Sequence, residues 1–230
     1  MSGILCSGSN DKTIKLYNIN GNTYNVLQIL SYHTEGITKI IELNNNNIVS
    51  CAFDNLIIFY YKDNNEYTKE FNIETDGMNG SIIQTKSNEI CYFERINKAL
   101  CFFDFQERKN ITKINNINLT IYIYDSLLMM SKDLLLVAGN DKLTIININS
   151  HRIIRGIDVS GSGFIWSACL LTENIILTSD YNRNIIQWKI QGDNLTLISK
   201  KENDSPIFTL KKIGNGLIMT GDANGEVKIW

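Results

Sequence analysis

Leu5-Cys6-Ser7-Gly8-Ser9-Asn10-Asp11-Lys12-Thr13-Ile14-Lys15-Leu16-Tyr17-Asn18 is the stretch on which the reading of this chain turns. It has three parts: a run of small and apolar residues, a turn around an aspartate, and a second apolar run closing on a large side chain. Asp and Asn suit a tight turn because their short side chains bond the local backbone and tolerate positive φ. Working outward, the same phrase returns at intervals of about 43 residues. Its turns hold Asp11, Asp54, Asn97, Asp141, Asn182 and Asn224. Its closing positions are Tyr17, Tyr60, Phe103, Ile146 (one residue early), Trp188 and Trp230. A strand–turn–strand unit repeated at this length predicts an all-β chain, a β-propeller of four-stranded antiparallel blades.

Each unit offers up to four short strands, named a to d from the inside outward. The runs are rich in Ile, Leu and aromatic residues and are bounded by Asn, Asp, Gly and Ser, which is a strand signal. Helical spacing is not sustained over any window of about twelve residues. The first unit opens on strand b at Ile4–Ser9, with no strand a before it. Units two to five are complete, and the sixth stops on strand c at Val227–Trp230. Between five and a half and six blades are therefore visible, in one domain spanning 1–230 with no linker. The absent strands predict a polypeptide that continues before Met1, beyond Trp230, or both, as part of a seven-bladed ring, since an open ring exposes sheet edges. A six-bladed ring with an irregular seam is the alternative.

Composition narrows the classes of function. The chain has 230 residues, 43% of them hydrophobic, and a net charge of −2. No basic field favours nucleic acid or an anionic membrane. No apolar run approaches the ~20 residues needed to span a bilayer. Met1 to Ser7 lack the basic and apolar regions of a signal peptide. The five cysteines, Cys6, Cys51, Cys91, Cys101 and Cys169, all fall inside apolar strands with no C-x-x-C spacing. They read as reduced core residues of an intracellular, cytoplasmic protein.

The turn segments resemble WD40 repeats, whose units end with a small-residue strand, an Asp turn and an apolar strand closing on Trp-Asp. The match is good over Leu5–Asn18 and over Met219-Thr220-Gly221-Asp222-Ala223-Asn224-Gly225-Glu226-Val227-Lys228-Ile229-Trp230. It is partial at Val137–Lys142 and at Ile185–Ile190. The resemblance implies a buried network of a loop His, a strand b Ser or Thr, the turn Asp and the strand c Trp. His33, Ser50, Asp54 and Tyr60 would form one version, with Tyr in place of Trp. Asp11, Asp141, Trp188 and Trp230 are the corresponding residues elsewhere, but those units lack the His.

The chemistry of an enzyme is not legible. The chain has no G-x-S-x-G elbow and no phosphate-binding G-x-x-x-x-G-K-[ST] loop. Its two histidines, His33 and His151, fall in loops expected on opposite faces, which excludes a shared metal site. One basic spot, His151-Arg152 with Arg155-Gly156, is the alternative reading, a phosphoinositide site; a propeller enzyme is a weaker one. The resemblance instead implies a non-catalytic scaffold for protein or peptide partners, without a cofactor. The d–a and b–c loops of such a propeller gather on one face. They carry Tyr32, His33, Glu35, Lys12, Arg95, Lys142, Tyr181, Arg183 and Asp222, with Asn10 and Lys98 nearby. Tyr181 and Arg183 are the foremost candidates, because aromatic and Arg side chains dominate binding hot spots. The opposite loops hold filler such as Asn44–Asn47.

Overall fold

The structure is a computed structural model, and it describes residues 3–64, 66–117, 126–159, 161, 163–214 and 216–230. Met1 and Ser2 lie outside these. Among the described residues, twenty-two strands fall into six antiparallel sheets. The first sheet holds β1 (Gly3–Gly8), β2 (Ile14–Asn20) and β3 (Thr23–Leu30). The second holds β4 (Ile37–Glu42), β5 (Ile48–Ala52), β6 (Leu56–Asp63) and β7 (Glu66–Glu74). The third runs through β8 (Met78–Lys86), β9 (Glu89–Glu94), β10 (Ala99–Asp104) and β11 (Lys109–Ile114). The fourth comprises β12 (Leu127–Met129), β13 (Leu134–Ala138), β14 (Lys142–Asn147) and β15 (Arg152–Asp158). The fifth has β16 (Ile165–Thr172), β17 (Ile175–Asp180), β18 (Asn184–Gln191) and β19 (Asn194–Glu202). The sixth ends the array with β20 (Ile207–Gly214), β21 (Leu217–Asp222) and β22 (Val227–Ile229). Within every sheet the strands pair in chain order.

The repeat is written in the backbone as well as in the side chains. The b–c turns place Lys12, Asn55, Lys98, Asp141, Arg183 and Gly225 at φ of 72°, 64°, 47°, 49°, 68° and 79°. In each case the residue just before it is the turn Asp or Asn, and in the first two units its carboxylate accepts the N–H two residues on, from Thr13 and Leu56. In the fourth unit that residue is Asn140, so the turn position assigned to Asp141 is corrected by one. With Asn140 in phase, Ile146 closes its unit on time. A second mark recurs beside the closing residue. The c–d register shifts between Leu16 and Tyr17, Phe59 and Tyr60, Phe102 and Phe103, Ile145 and Ile146, and Gln187 and Trp188. A bulge at one phase of five sheets increases local twist there, and it gives the blades a common shape.

Stability lies between blades. Apolar side chains alternate on the two faces of each sheet, and each face packs on a neighbour. Ile14 and Leu16 of the first sheet meet Ile48, Ile58 and Tyr60 of the second. Val49, Ile57 and Phe59 meet Ile90, Tyr92 and Phe103 of the third. Phe93, Leu100 and Phe102 face Leu135, Val137 and Ile146. Leu136, Leu143 and Ile145 face Ile176, Ile186 and Trp188. Leu177 and Ile185 close on Ile207, Leu210 and Ile218. No such cluster of described residues joins the sixth sheet to the first. The innermost strands β4, β8, β12, β16 and β20 touch in sequence, as around a central axis. That radial order brings the d–a and b–c loops to one face.

The loop face and its candidate site

The second blade shows how this face is fixed. His33 enters from the loop after β3. Its Nδ1 lies 2.9 Å from Asp54 Oδ2, and its Nε2 lies 2.7 Å from Ser50 Oγ. Ser50 Oγ is 3.1 Å from the Tyr60 hydroxyl. Asp54 also accepts the Thr34 and Leu56 N–H groups at 2.9 and 3.0 Å. Burial holds His33 below its ordinary pKa despite the neighbouring carboxylate. The imidazole is therefore neutral at pH 7, and with its proton on Nδ1 it donates to Asp54. Burial works to raise the Asp54 pKa, but its three hydrogen-bond donors outweigh this and hold it below the ordinary carboxylate value. Desolvation pushes the Tyr60 hydroxyl up to about 12. These four residues are joined in one hydrogen-bonded chain. Their order, Ser–His–Asp, is that of a hydrolytic triad, yet Ser50 has no exposed surface and a substrate cannot reach it.

The other network candidates divide. Trp188 Nε1–H donates to Thr178 Oγ1, and Trp230 Nε1–H to Thr220 Oγ1, each at 2.9 Å. Asp11 caps its own turn by accepting from Thr13 and Lys15, which together push its carboxyl down to about 2. Asp141 takes no part in such a network; its Oδ1 accepts the Gly163 N–H at 2.7 Å. In the fifth and sixth blades the carboxylate stands two positions earlier, at Asp180 and Asp222. Asp180 accepts from the Asn184 N–H and side-chain amide at 2.9 Å. Asp222 accepts the Asn224 and Glu226 N–H groups, both at 3.0 Å, and is buried. It is thus a capping group, not the exposed contact residue expected from its loop. Asp180 escaped the sequence reading, although the pairs Ser179-Asp180 and Gly221-Asp222 share one place in the repeat.

The proposed contact residues fall into separate groups. Lys12 Nζ lies 3.5 Å from Glu35, across the first two blades, and Tyr32 leans on the Tyr60 ring with centroids 5.9 Å apart. Arg95 reaches back beside Gly77 on the third blade. The Lys142 stem lies against Gly156 of β15, in space that a Cβ there would occupy. Arg183 Nη2 pairs with Glu202 at 2.6 Å, on the rim of a depression of 530 Å³ that includes Tyr181 and Pro206.

Tyr181 does not stand alone. Its ring lies 5.8 Å from Phe164 and 6.4 Å from Trp166, and Trp166 lies 5.0 Å from Phe208. Phe164, Tyr181 and Phe208 are substantially exposed. The backbone explains why these rings gather. In β16 the register jumps from Ile165 to Ser167, and in β20 from Ile207 to Thr209. Trp166 and Phe208 are the extra residues, and a bulge re-aims the side chain it carries. The Trp166 indole N–H is covered and has no hydrogen-bond partner among the described residues. Sequence alternation alone does not reveal a bulge, so Phe164, Trp166 and Phe208 were missed.

In the basic alternative site, His151 and Arg155 each have an acidic neighbour, while Arg152 is exposed. His151 Nε2 lies 3.0 Å from the buried Glu89 carboxylate, and Arg155 Nη2 lies 3.8 Å from Asp193. Among the described residues, no three His, Cys, Asp or Glu side chains gather as metal ligands do. Burial pushes the Cys6 and Cys169 thiols up to about 11, so both are poor nucleophiles at neutral pH.

The chain has the β-propeller fold of WD40 domains, as two solved structures show. The WD40 β-propeller domain of Doa1 has a similar structure, with a TM-score of 0.79 at 14% identity over 98% of this chain and 74% of that one. A chain in the crystal structure of the mitotic checkpoint complex superposes with a TM-score of 0.83 at 13% identity, over 99% of this chain and 70% of that one. No family model and no curated protein matches the sequence.

Proposed function

We propose that this protein is a non-catalytic interaction scaffold that holds a peptide or protein on its loop face, at the ring cluster of the fifth and sixth blades. The exposed aromatic patch of Phe164, Trp166, Tyr181 and Phe208 beside Arg183 carries this reading. Large rigid rings bring contact area at a low cost in side-chain entropy, and aromatic and Arg residues are enriched in hot spots. The unpaired Trp166 indole N–H adds a donor for a carbonyl of the ligand if the rings part. The buried Ser50 and the quenched thiols support a role without chemistry. The near-neutral charge supports protein partners over nucleic acid or membrane, and the apolar placement of the cysteines supports a reducing, cytoplasmic setting.

The test is a comparative pull-down from source cytosol. Tyr181→Ala with Phe208→Ala is expected to weaken capture of the main partner about 30-fold, the effect of a ~2 kcal/mol hot spot. Asn45→Ala with Asn46→Ala, on the opposite face, is the control. Retention by the first variant and loss by the control would place the ligand on the other face.

A further inference from the structure

The ring cluster of the fifth and sixth blades has a shape as well as an apolar area. Phe164 and Tyr181 meet edge to face at 76°, and Trp166 and Phe208 at 71°. Rings packed in this way leave clefts between an edge and a face instead of one flat surface. Trp166 stands in the middle, 6.4 Å from Tyr181 and 5.0 Å from Phe208. The clefts on its two sides therefore fall within one three-residue turn of a polyproline II helix, ~9 Å long.

Two donors on this surface lack a partner. The Trp166 indole N–H is buried without a hydrogen bond among the described residues. In the depression beside the rings, Arg183 is paired with Glu202, whereas Lys200 makes no ion pair with a described residue. These donors select among peptide conformations. An α-helix commits its carbonyls to its own backbone. An added strand needs a free sheet edge, and this surface presents rings instead. A polyproline II segment leaves every carbonyl open and is ordered before it binds. Its prolines carry no N–H, so they ask the surface for donors alone.

We infer that the ring cluster docks a proline-rich segment in the polyproline II conformation, flanked by an acidic residue. Prolines enter the clefts on either side of Trp166, a backbone carbonyl accepts the indole N–H, and the acid pairs with Lys200. The indole N–H is covered in the free protein, so the rings shift to expose it on docking. The inference rests on the scaffold reading above and gives its ligand a chemistry.

The test is titration calorimetry with an acetylated and amidated peptide of six prolines followed by two aspartates. The same peptide with alanines in place of the prolines is expected to bind at least ~10-fold more weakly, because the clefts are no longer filled. The version with lysines in place of the aspartates should bind about fivefold more weakly. These comparisons use the unaltered chain, so they do not depend on a variant folding. Trp166→Phe keeps a ring but removes the donor, and should weaken the proline peptide about fivefold. Lys200→Ala should abolish the preference for aspartate over lysine. Equal binding of the alanine peptide, no binding of the proline peptide, or full affinity in Trp166→Phe overturns the inference. The pull-down separates this from the scaffold reading. If Tyr181→Ala with Phe208→Ala loses the captured partner but the proline peptide neither binds nor competes, the docking face stands and this inference falls. Retention of the partner by that variant removes the docking face and this inference with it.

Discussion

In the second blade, a carboxylate, an imidazole, a serine and a tyrosine tie a loop to the sheet beneath it. In the fifth, Thr178 and Trp188 occupy the places of Ser50 and Tyr60, and the carboxylate has moved to Asp180. The difference lies in reach. Asp54 binds His33 and the Thr34 N–H, some twenty positions earlier, so it joins two elements. Among the described residues the Asp180 carboxylate binds Asn184, four positions away, so it stiffens its own turn. Both blades nonetheless pack their neighbours with the same apolar faces. Stacking of blades carries the architecture, and the polar network is a local addition that a blade can lose.

The strongest test of this contrast removes each carboxylate. Asp54→Ala strands a buried imidazole and two backbone N–H groups, and should cost about 3 kcal/mol in urea unfolding. Asp180→Ala strands only the donors of Asn184 and should cost about 1.5 kcal/mol. Equal losses would mean that reach does not matter.

A weaker but more specific effect comes from pH. The folded pKa of His33 is depressed by burial. The unfolded chain therefore binds the proton more readily, and stability falls as pH drops below about 6.5, the unfolded value. One such group sets a slope of at most about 1.4 kcal/mol per pH unit. The depressed pKa of Asp54 adds a further loss below about pH 4. Melting curves from pH 8 to 5 should show the first decline, and His33→Gln should flatten it. A slope that survives this substitution would have to come from another group.

The smallest expected difference is that between the closing residues. Tyr60→Phe removes one hydroxyl next to Ser50 and should cost about 1 kcal/mol. Trp188→Phe removes the bond to Thr178 and also leaves a void, so it should cost somewhat more, about 2 kcal/mol. The reverse order would show that the second blade relies on its tyrosine hydroxyl more than the geometry suggests.

Much of this molecule is legible in its residues. The repeat of Asp and Asn turns locates every one of the strands, because turn chemistry and alternation are local properties. The network of His33, Ser50, Asp54 and Tyr60 is also legible, through the resemblance to a family whose geometry is fixed by the same spacing. The fourth turn differs by one residue from its expected place because Asn140 and Asp141 both suit a turn; the spacing to Ile146 and the backbone at Asp141, with φ of 49°, both assign it to Asn140.

Sequence by itself determined the blade: its length, its strands, its turns and the two apolar faces it must hide. Tertiary structure alone decided what those faces meet and which side chains meet at the loop face. Tyr24 and Tyr67 are the same residue in the same place of the repeat, and only the presence of a neighbouring sheet buries one and not the other. Trp166 and Phe208 reach the ring cluster because bulges in β16 and β20 turn them toward each other across two blades. Burial and bulge geometry arise from contacts between segments far apart in the chain, so no local pattern encodes them.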